Sequence, residues 1–302
     1  MKFFLTGGTG FVGTYLAKHL LQQGHELTIL SRRARTQPDP DTAIQYVQGD
    51  PTKPGPWQRH VPEHEVIINL AGSSIFVRWT EANKKIIRDS RVLTTQNLVA
   101  ALAEASDRQT KLLLSTSAIG YYGDRGDEDL TEESPPGSDF LARVAQEWET
   151  AALKAQDLGV RTIITRFGLV IGRGGGILAA VVPLFKSFVG GPLGSGQQWF
   201  SWIDQSDQLR AFLFVLEHPE LAGVVNFTAP HPVRNAEFAA ALGQVLNRPS
   251  FLPAPAFMVK LTMGEFAEVI LGGQRVTPKK LLAAGFTFEY PTIIEALRHQ
   301  LL

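Results

Sequence analysis

The sequence predicts an α/β protein: a doubly wound parallel sheet with a smaller C-terminal lobe covering a substrate site. Three observations carry that expectation. Through about the first 170 residues, short and nearly continuous apolar runs alternate with helical stretches, the pattern of βαβ units. A glycine-rich turn lies directly between the first apolar run and the first helix. After that the texture changes, with glycine-rich loops at 172–176 and 190–196 and a connection carrying Pro249, Pro253 and Pro255.

Taken in order, strands are expected at Lys2–Thr6, Glu26–Ser31, Ile44–Gln48, Val66–Leu70, Lys111–Ser115 and Thr162–Phe167. Their alternating positions are apolar on both sides, as in strands covered on both faces. Helices are expected at Phe11–Gln23, Asn83–Ala105 and Ser138–Gln156. The second carries Ile86, Ile87, Leu93, Leu98, Val99 and Leu102 near helical spacing. Lys84, Lys85, Arg88 and Arg91 are read as its solvated face, with Arg88 the one that can reach a ligand. Further on come a strand around Val224–Thr228 and a helix over Asn235–Leu246, stopped by Asn247-Arg248-Pro249.

Composition removes whole classes of function. Lys plus Arg and Asp plus Glu each number 29, so there is no basic excess for nucleic acid or an anionic membrane surface. With no cysteine, disulfides, thiolate metal sites and Cys nucleophiles are excluded. No apolar run is long enough to span a bilayer, and the first residues enter a strand rather than a leader, so a cytoplasmic protein is expected. His60, Glu63 and His64 are read as loop residues, and no metal is expected. The acidic stretch between Asp124 and Glu133 reads as a mobile loop at a pocket mouth.

The turn Thr6-Gly7-Gly8-Thr9-Gly10-Phe11-Val12-Gly13 is where chemistry enters. Glycines at 7, 10 and 13 permit a tight turn, a close approach of pyrophosphate, and close helix–strand packing. The helix that follows offers free amides and a positive dipole end to phosphate. This is the start of a Rossmann-type dinucleotide site, with residues 1–170 as its main unit (some later segments returning to it) and 171–302 mainly the covering lobe. After the second strand, Ser31-Arg32-Arg33, with Arg35 close by, offers guanidinium groups and no carboxylate. That suits the 2′-phosphate of NADP(H) rather than the free ribose hydroxyl of NAD. Asp50 is placed to accept from the adenine amino group, and Leu70, Ala71 and Gly72 to let the backbone approach the cofactor.

These motifs resemble the extended short-chain dehydrogenase/reductase superfamily, in its NAD(P)-dependent epimerase/dehydratase group. The resemblance is closest to the atypical branch called epimerase family protein, which has a dedicated C-terminal segment. It rests on Gly7 to Gly13, on Leu114-Ser115-Thr116-Ser117-Ala118-Ile119-Gly120-Tyr121-Tyr122-Gly123, and on Arg166 to Gly172. It extends to Phe200-Ser201-Trp202-Ile203-Asp204 and to Pro278 through Phe286. The resemblance implies an NADP(H)-dependent oxidoreductase or epimerase acting on a small hydroxyl or carbonyl compound, with nucleotide sugars among the substrates of relatives. It also implies a homodimer formed through the two long helices.

The family's acid/base is a Tyr with a Lys four residues on, the cation favouring the phenolate. None of the five tyrosines here has that Lys; Phe140 and Val144 stand about where the pair belongs. The resemblance keeps Ser117 as the substrate-orienting hydroxyl. Tyr121 and Tyr122 are the candidates for a replacement acid, with Arg125 as a nearby cation, and Trp202 is a candidate substrate platform. A loop intact for the cofactor beside a lost Tyr/Lys pair also fits a catalytically silent NADPH sensor, and both readings stand at this point.

Overall fold

A computed structural model describes residues 1–34 and 43–302; Arg35 falls outside the described residues. Seven parallel strands form the central sheet: β1 (Lys2–Thr6), β2 (Glu26–Ser31), β3 (Ile44–Gln48), β4 (Val66–Asn69), β5 (Leu112–Ala118), β6 (Arg161–Phe167) and β7 (Gly223–Phe227). Their order is β7-β6-β5-β4-β1-β2-β3. The direction of winding reverses between β1 and β4, so a crevice opens there beyond the strands' C-terminal ends.

Alternation along β1 shows why the strands read as continuous apolar runs. Phe3 and Leu5 point into one core with α1 (Phe11–Gln22), whereas Phe4 points into the other with α2 (Glu81–Ala103) and Trp57. α3 (Phe140–Leu153) packs beside α2 on that second face. Two of these helices start where side chains cap them. Thr80 accepts from the Asn83 amide at 3.2 Å, and Asp139 from the Ala142 amide at 2.9 Å. The caps set α2 two residues earlier, and α3 two residues later, than apolar periodicity alone suggests.

Beyond the sheet, α4 (Gly176–Lys186), α6 (Asn235–Leu246) and α8 (Ile293–Leu301) enclose a separate core around Phe185, Trp202, Phe238 and Leu297. α5 (Gln205–Glu217) instead returns to the sheet with β7, placing Phe212, Val215 and Phe227 in the first core. The short α7 (Ala256–Met263) lies at the rim of the covering lobe. The acidic stretch is tied down rather than mobile. Asp129–Leu130 pairs as a strand with Arg275–Val276, Asp127 meets Arg234 at 2.6 Å, and buried Glu132 accepts from the Asn226 amide.

Candidate active site

A cavity of about 600 Å³ opens over the sheet's switch point, between the glycine turn, the ends of β4 and β5, one face of α3, and the covering lobe. Gly7 has φ +68°, and a β-carbon on it would lie 2.6 Å from the Leu70 carbonyl carbon. On Gly13 a β-carbon would lie 2.3 Å from the Gly7 oxygen, so only glycine lets α1 sit this close to the turn. α1 begins at Gly10 with no side-chain cap and no acidic residue in its first turn, which leaves its amides open to an anion.

The expected cofactor residues divide by position. Gly7, Gly10, Phe11, Val12, Gly13, Leu70, Ala71 and Gly72 line the cavity. Thr6 does not: its buried hydroxyl donates to Asn69 at 2.7 Å, and Asn69 in turn donates to Thr95, tying strand ends together. Thr9 is exposed beside the turn. Arg32 and Arg33 are exposed at the end of β2, where the Ser31 hydroxyl donates to the Arg33 carbonyl at 2.9 Å. Burial opposes ionisation of Asp50, but hydrogen bonds from Thr52 and the charges of Lys53 and Arg32 outweigh it and hold the carboxyl below its ordinary value.

Ser117 lines the cavity, is almost fully buried, and donates to Glu149 Oε1 at 2.6 Å. Glu149 receives Arg166 at both carboxylate oxygens, at 2.8 and 2.7 Å. Burial alone would lower the Arg166 guanidinium; the hydrogen bonds and charge of Glu149 reverse this and hold it above its ordinary value. A third Arg166 nitrogen donates to the Tyr122 hydroxyl at 3.0 Å, and Tyr122 donates to Asn226 at 2.7 Å. The chain Ser117–Glu149–Arg166–Tyr122–Asn226 thus fixes the hydroxyl of a residue that lines the cavity.

Several expectations are corrected by these placements. Tyr122 is fully buried behind Arg166, outside the cavity lining, and burial pushes its hydroxyl up to about 12. Tyr121 lies flat against Arg166, its ring centre 3.4 Å from the guanidinium carbon, and is not a cavity residue either. Arg125 pairs with Glu128 instead of with a tyrosine. Trp202 is a core residue whose indole donates to the His231 carbonyl; Trp199 is the indole that the covering lobe puts in the cavity wall, with the guanidinium groups of Arg234 and Arg275 against its ring. The cavity face of α3 is Leu141, Val144, Ala145 and Trp148, with no group able to move a proton at neutral pH.

Five further residues belong to the site. Arg91 is not on the solvated face: it lines the cavity, packs on Gly72, and lies 5.4 Å from the Trp148 ring centre. Desolvation lowers it to about 10, still protonated near neutrality, and no described carboxylate pairs with it. Its signal was its place in the buried stripe Ile87, Thr94, Leu98. Glu149 and Arg166 were legible as charges among apolar neighbours, on a helix stripe and in a strand buried on both faces; such charges need partners. Thr116 and Trp148 also line the cavity, and each holds a buried polar atom without a described partner.

Comparison with known proteins agrees with this architecture. Residues 3–226 match the NAD dependent epimerase/dehydratase family, and residues 254–300 match a domain of unknown function, DUF1731. The Arabidopsis thaliana protein "Epimerase family protein SDR39U1 homolog, chloroplastic" is 40% identical over 99% of this chain and 86% of its own length. The human epimerase family protein SDR39U1, crystallised with NADPH, superposes with a TM-score of 0.87 at 32% identity, covering 99% of both chains. A nucleoside-diphosphate sugar epimerase from Corynebacterium glutamicum matches with a TM-score of 0.78 at 33% identity, covering all of this chain and 58% of that one. The chain therefore belongs to the NAD dependent epimerase/dehydratase family, in the group of epimerase family proteins that carry a DUF1731 segment.

Proposed function

We propose that this protein is an NADP(H)-dependent oxidoreductase or epimerase acting at a hydroxyl- or carbonyl-bearing carbon. The glycine cradle, the uncapped α1, Arg91 with no carboxylate partner among the described residues and the orphaned polar atoms of Thr116 and Trp148 fit a dinucleotide. The α1 amides would hold the diphosphate, with Arg91 facing the same part of the cavity. Arg32 and Arg33 would hold the 2′-phosphate and Asp50 the adenine amino group. The NADPH in the human relative supports that choice of nucleotide. When bound, the nicotinamide supplies two-electron redox chemistry.

The observation that carries the enzyme reading is Ser117. Ser117 lines the cavity with its own proton committed to Glu149, so toward a substrate it would act as an acceptor for a hydroxyl. Glu149, held by Arg166, is a positioning residue. The apolar α3 face favours the second reading, an NADPH-binding protein without turnover. Calorimetric titration with NADPH and NADH tests the cofactor half. NADPH should bind tighter, and replacing Arg32 and Arg33 together by Ala should weaken NADPH about tenfold while leaving NADH unchanged. Equal binding of the two nucleotides by the native chain would overturn the NADP assignment. For the catalytic half, Ser117→Ala should abolish substrate-dependent NADPH turnover at unchanged NADPH affinity. Turnover undiminished in that variant would remove Ser117 from the chemistry.

A further inference from the structure

We infer that the substrate is predominantly apolar, a hydrocarbon-rich alcohol or ketone rather than a nucleotide sugar; this rests on the cofactor-dependent reading above. Among the described residues lining the cavity, Arg91 is the one charged side chain. It lies by Gly72 and Trp148, at the end of β4 beside the glycine turn, where it would face the cofactor. The covering lobe contributes no Lys, Arg, His, Asp or Glu to the lining. A sugar diphosphate would bring two further charges into that half, and a buried charge without a partner is strongly disfavoured.

Three of the polar side chains that line the covering half are engaged with backbone, and Trp199 donates to Asp127; Gln274 lines that half as well. Gln198 donates to the Leu193 and Ile270 carbonyls at 3.0 and 3.3 Å. Asn235 accepts from the Leu193 amide at 2.8 Å. Ser201 donates to the Gln274 carbonyl and accepts from the Val276 amide. These bonds fasten loops together and commit part of each side chain's hydrogen-bonding capacity. The remaining wall is Phe185, Phe200, Phe238, Phe266 and Ile270, with Ile177 and Val181 of α4.

The mouth has the same character. Leu184, Val189 and Leu252 line the cavity yet remain 50%, 58% and 47% exposed, and the neighbouring Phe188 and Phe251 are exposed too. An apolar rim continuous with an apolar cavity is the entrance an apolar substrate needs, and an exposed patch of this kind is uncommon without a use.

The test titrates NADPH-loaded protein, by calorimetry, with straight-chain secondary alcohols from butan-2-ol to decan-2-ol, and in parallel with UDP-glucose. Each added methylene should tighten binding about fourfold until the cavity is filled, and UDP-glucose should neither bind nor compete. Val189→Asp, at an exposed position of the rim, should weaken decan-2-ol about tenfold and butan-2-ol far less. Competitive binding of UDP-glucose, a flat chain-length series, or no binding by either class would overturn the apolar assignment. NADPH is titrated first and alone, so a failure of the cofactor reading shows separately from a failure of the substrate class.

Discussion

The Tyr122 hydroxyl is hydrogen-bonded on both sides, and removing it leaves Arg166 and Asn226 each short of a buried partner. Tyr122→Phe should therefore cost about 1–3 kcal/mol in chemical denaturation and leave NADPH affinity as it was. A loss of affinity at unchanged stability would put the hydroxyl in the site after all. His64 makes a pH-dependent contribution of the same local kind. Burial holds its imidazole below the ordinary 6.5, with Nε2 against the Thr28 hydroxyl at 2.7 Å and Nδ1 against the His60 carbonyl. Because the folded value is depressed, this contribution is complete above pH 6.5 and is lost as pH falls from there through the folded value. Melting temperature should decline over that interval, and less steeply in His64→Gln. At this scale the glycine turn was legible because its chemistry is contiguous in sequence. The partnership of Ser117, Glu149 and Arg166 was not, since nothing in their spacing says which helix position faces which strand.

At the scale of elements, α1 is held to the sheet by a contact with no tolerance. Gly13→Ala would set a methyl 2.3 Å from the Gly7 oxygen and force the helix to shift. The variant should lose most NADPH binding, about a hundredfold or more, and the amide resonances of residues 7–13 should move in NMR spectra. Unchanged affinity would mean that α1's position is not what forms the cradle. β1, β2 and β3 were legible to the residue: β1 and β2 because strands buried on both faces leave a nearly unbroken apolar signal, and the half-exposed edge strand β3 because its apolar residues are bounded by turn residues. The starts of α2 and α3 were displaced by Thr80 and Asp139, whose capping bonds override apolar periodicity.

Across the whole molecule, the last fifty or so residues are part of both cores. Leu281, Phe286 and Phe288 pack with the sheet's first core, whereas Ile293, Ala296 and Leu297 complete the core of the covering lobe. Burial of each large apolar side chain contributes about 1.5–3 kcal/mol, so their combined loss matches a typical folding stability. A chain ended after Pro253 should thus show no cooperative melt, whereas a sharp transition near that of the full chain would mark the segment as dispensable. Interleaving of this kind left little trace in the sequence: α5 and β7 return to the sheet after the glycine-rich loops, and no local pattern announces a return. One of the contacts between the two lobes involves the cofactor end of α1. The ring of Phe11, the first residue of α1, lies against Gly175, where a β-carbon would come within 2.1 Å of it. Whatever fixes the α1 end therefore also fixes the turn leading into α4 and its wall of the cavity. Two ligands sharing such a joint are thermodynamically linked. The factor by which NADPH tightens the second ligand must equal the factor by which that ligand tightens NADPH.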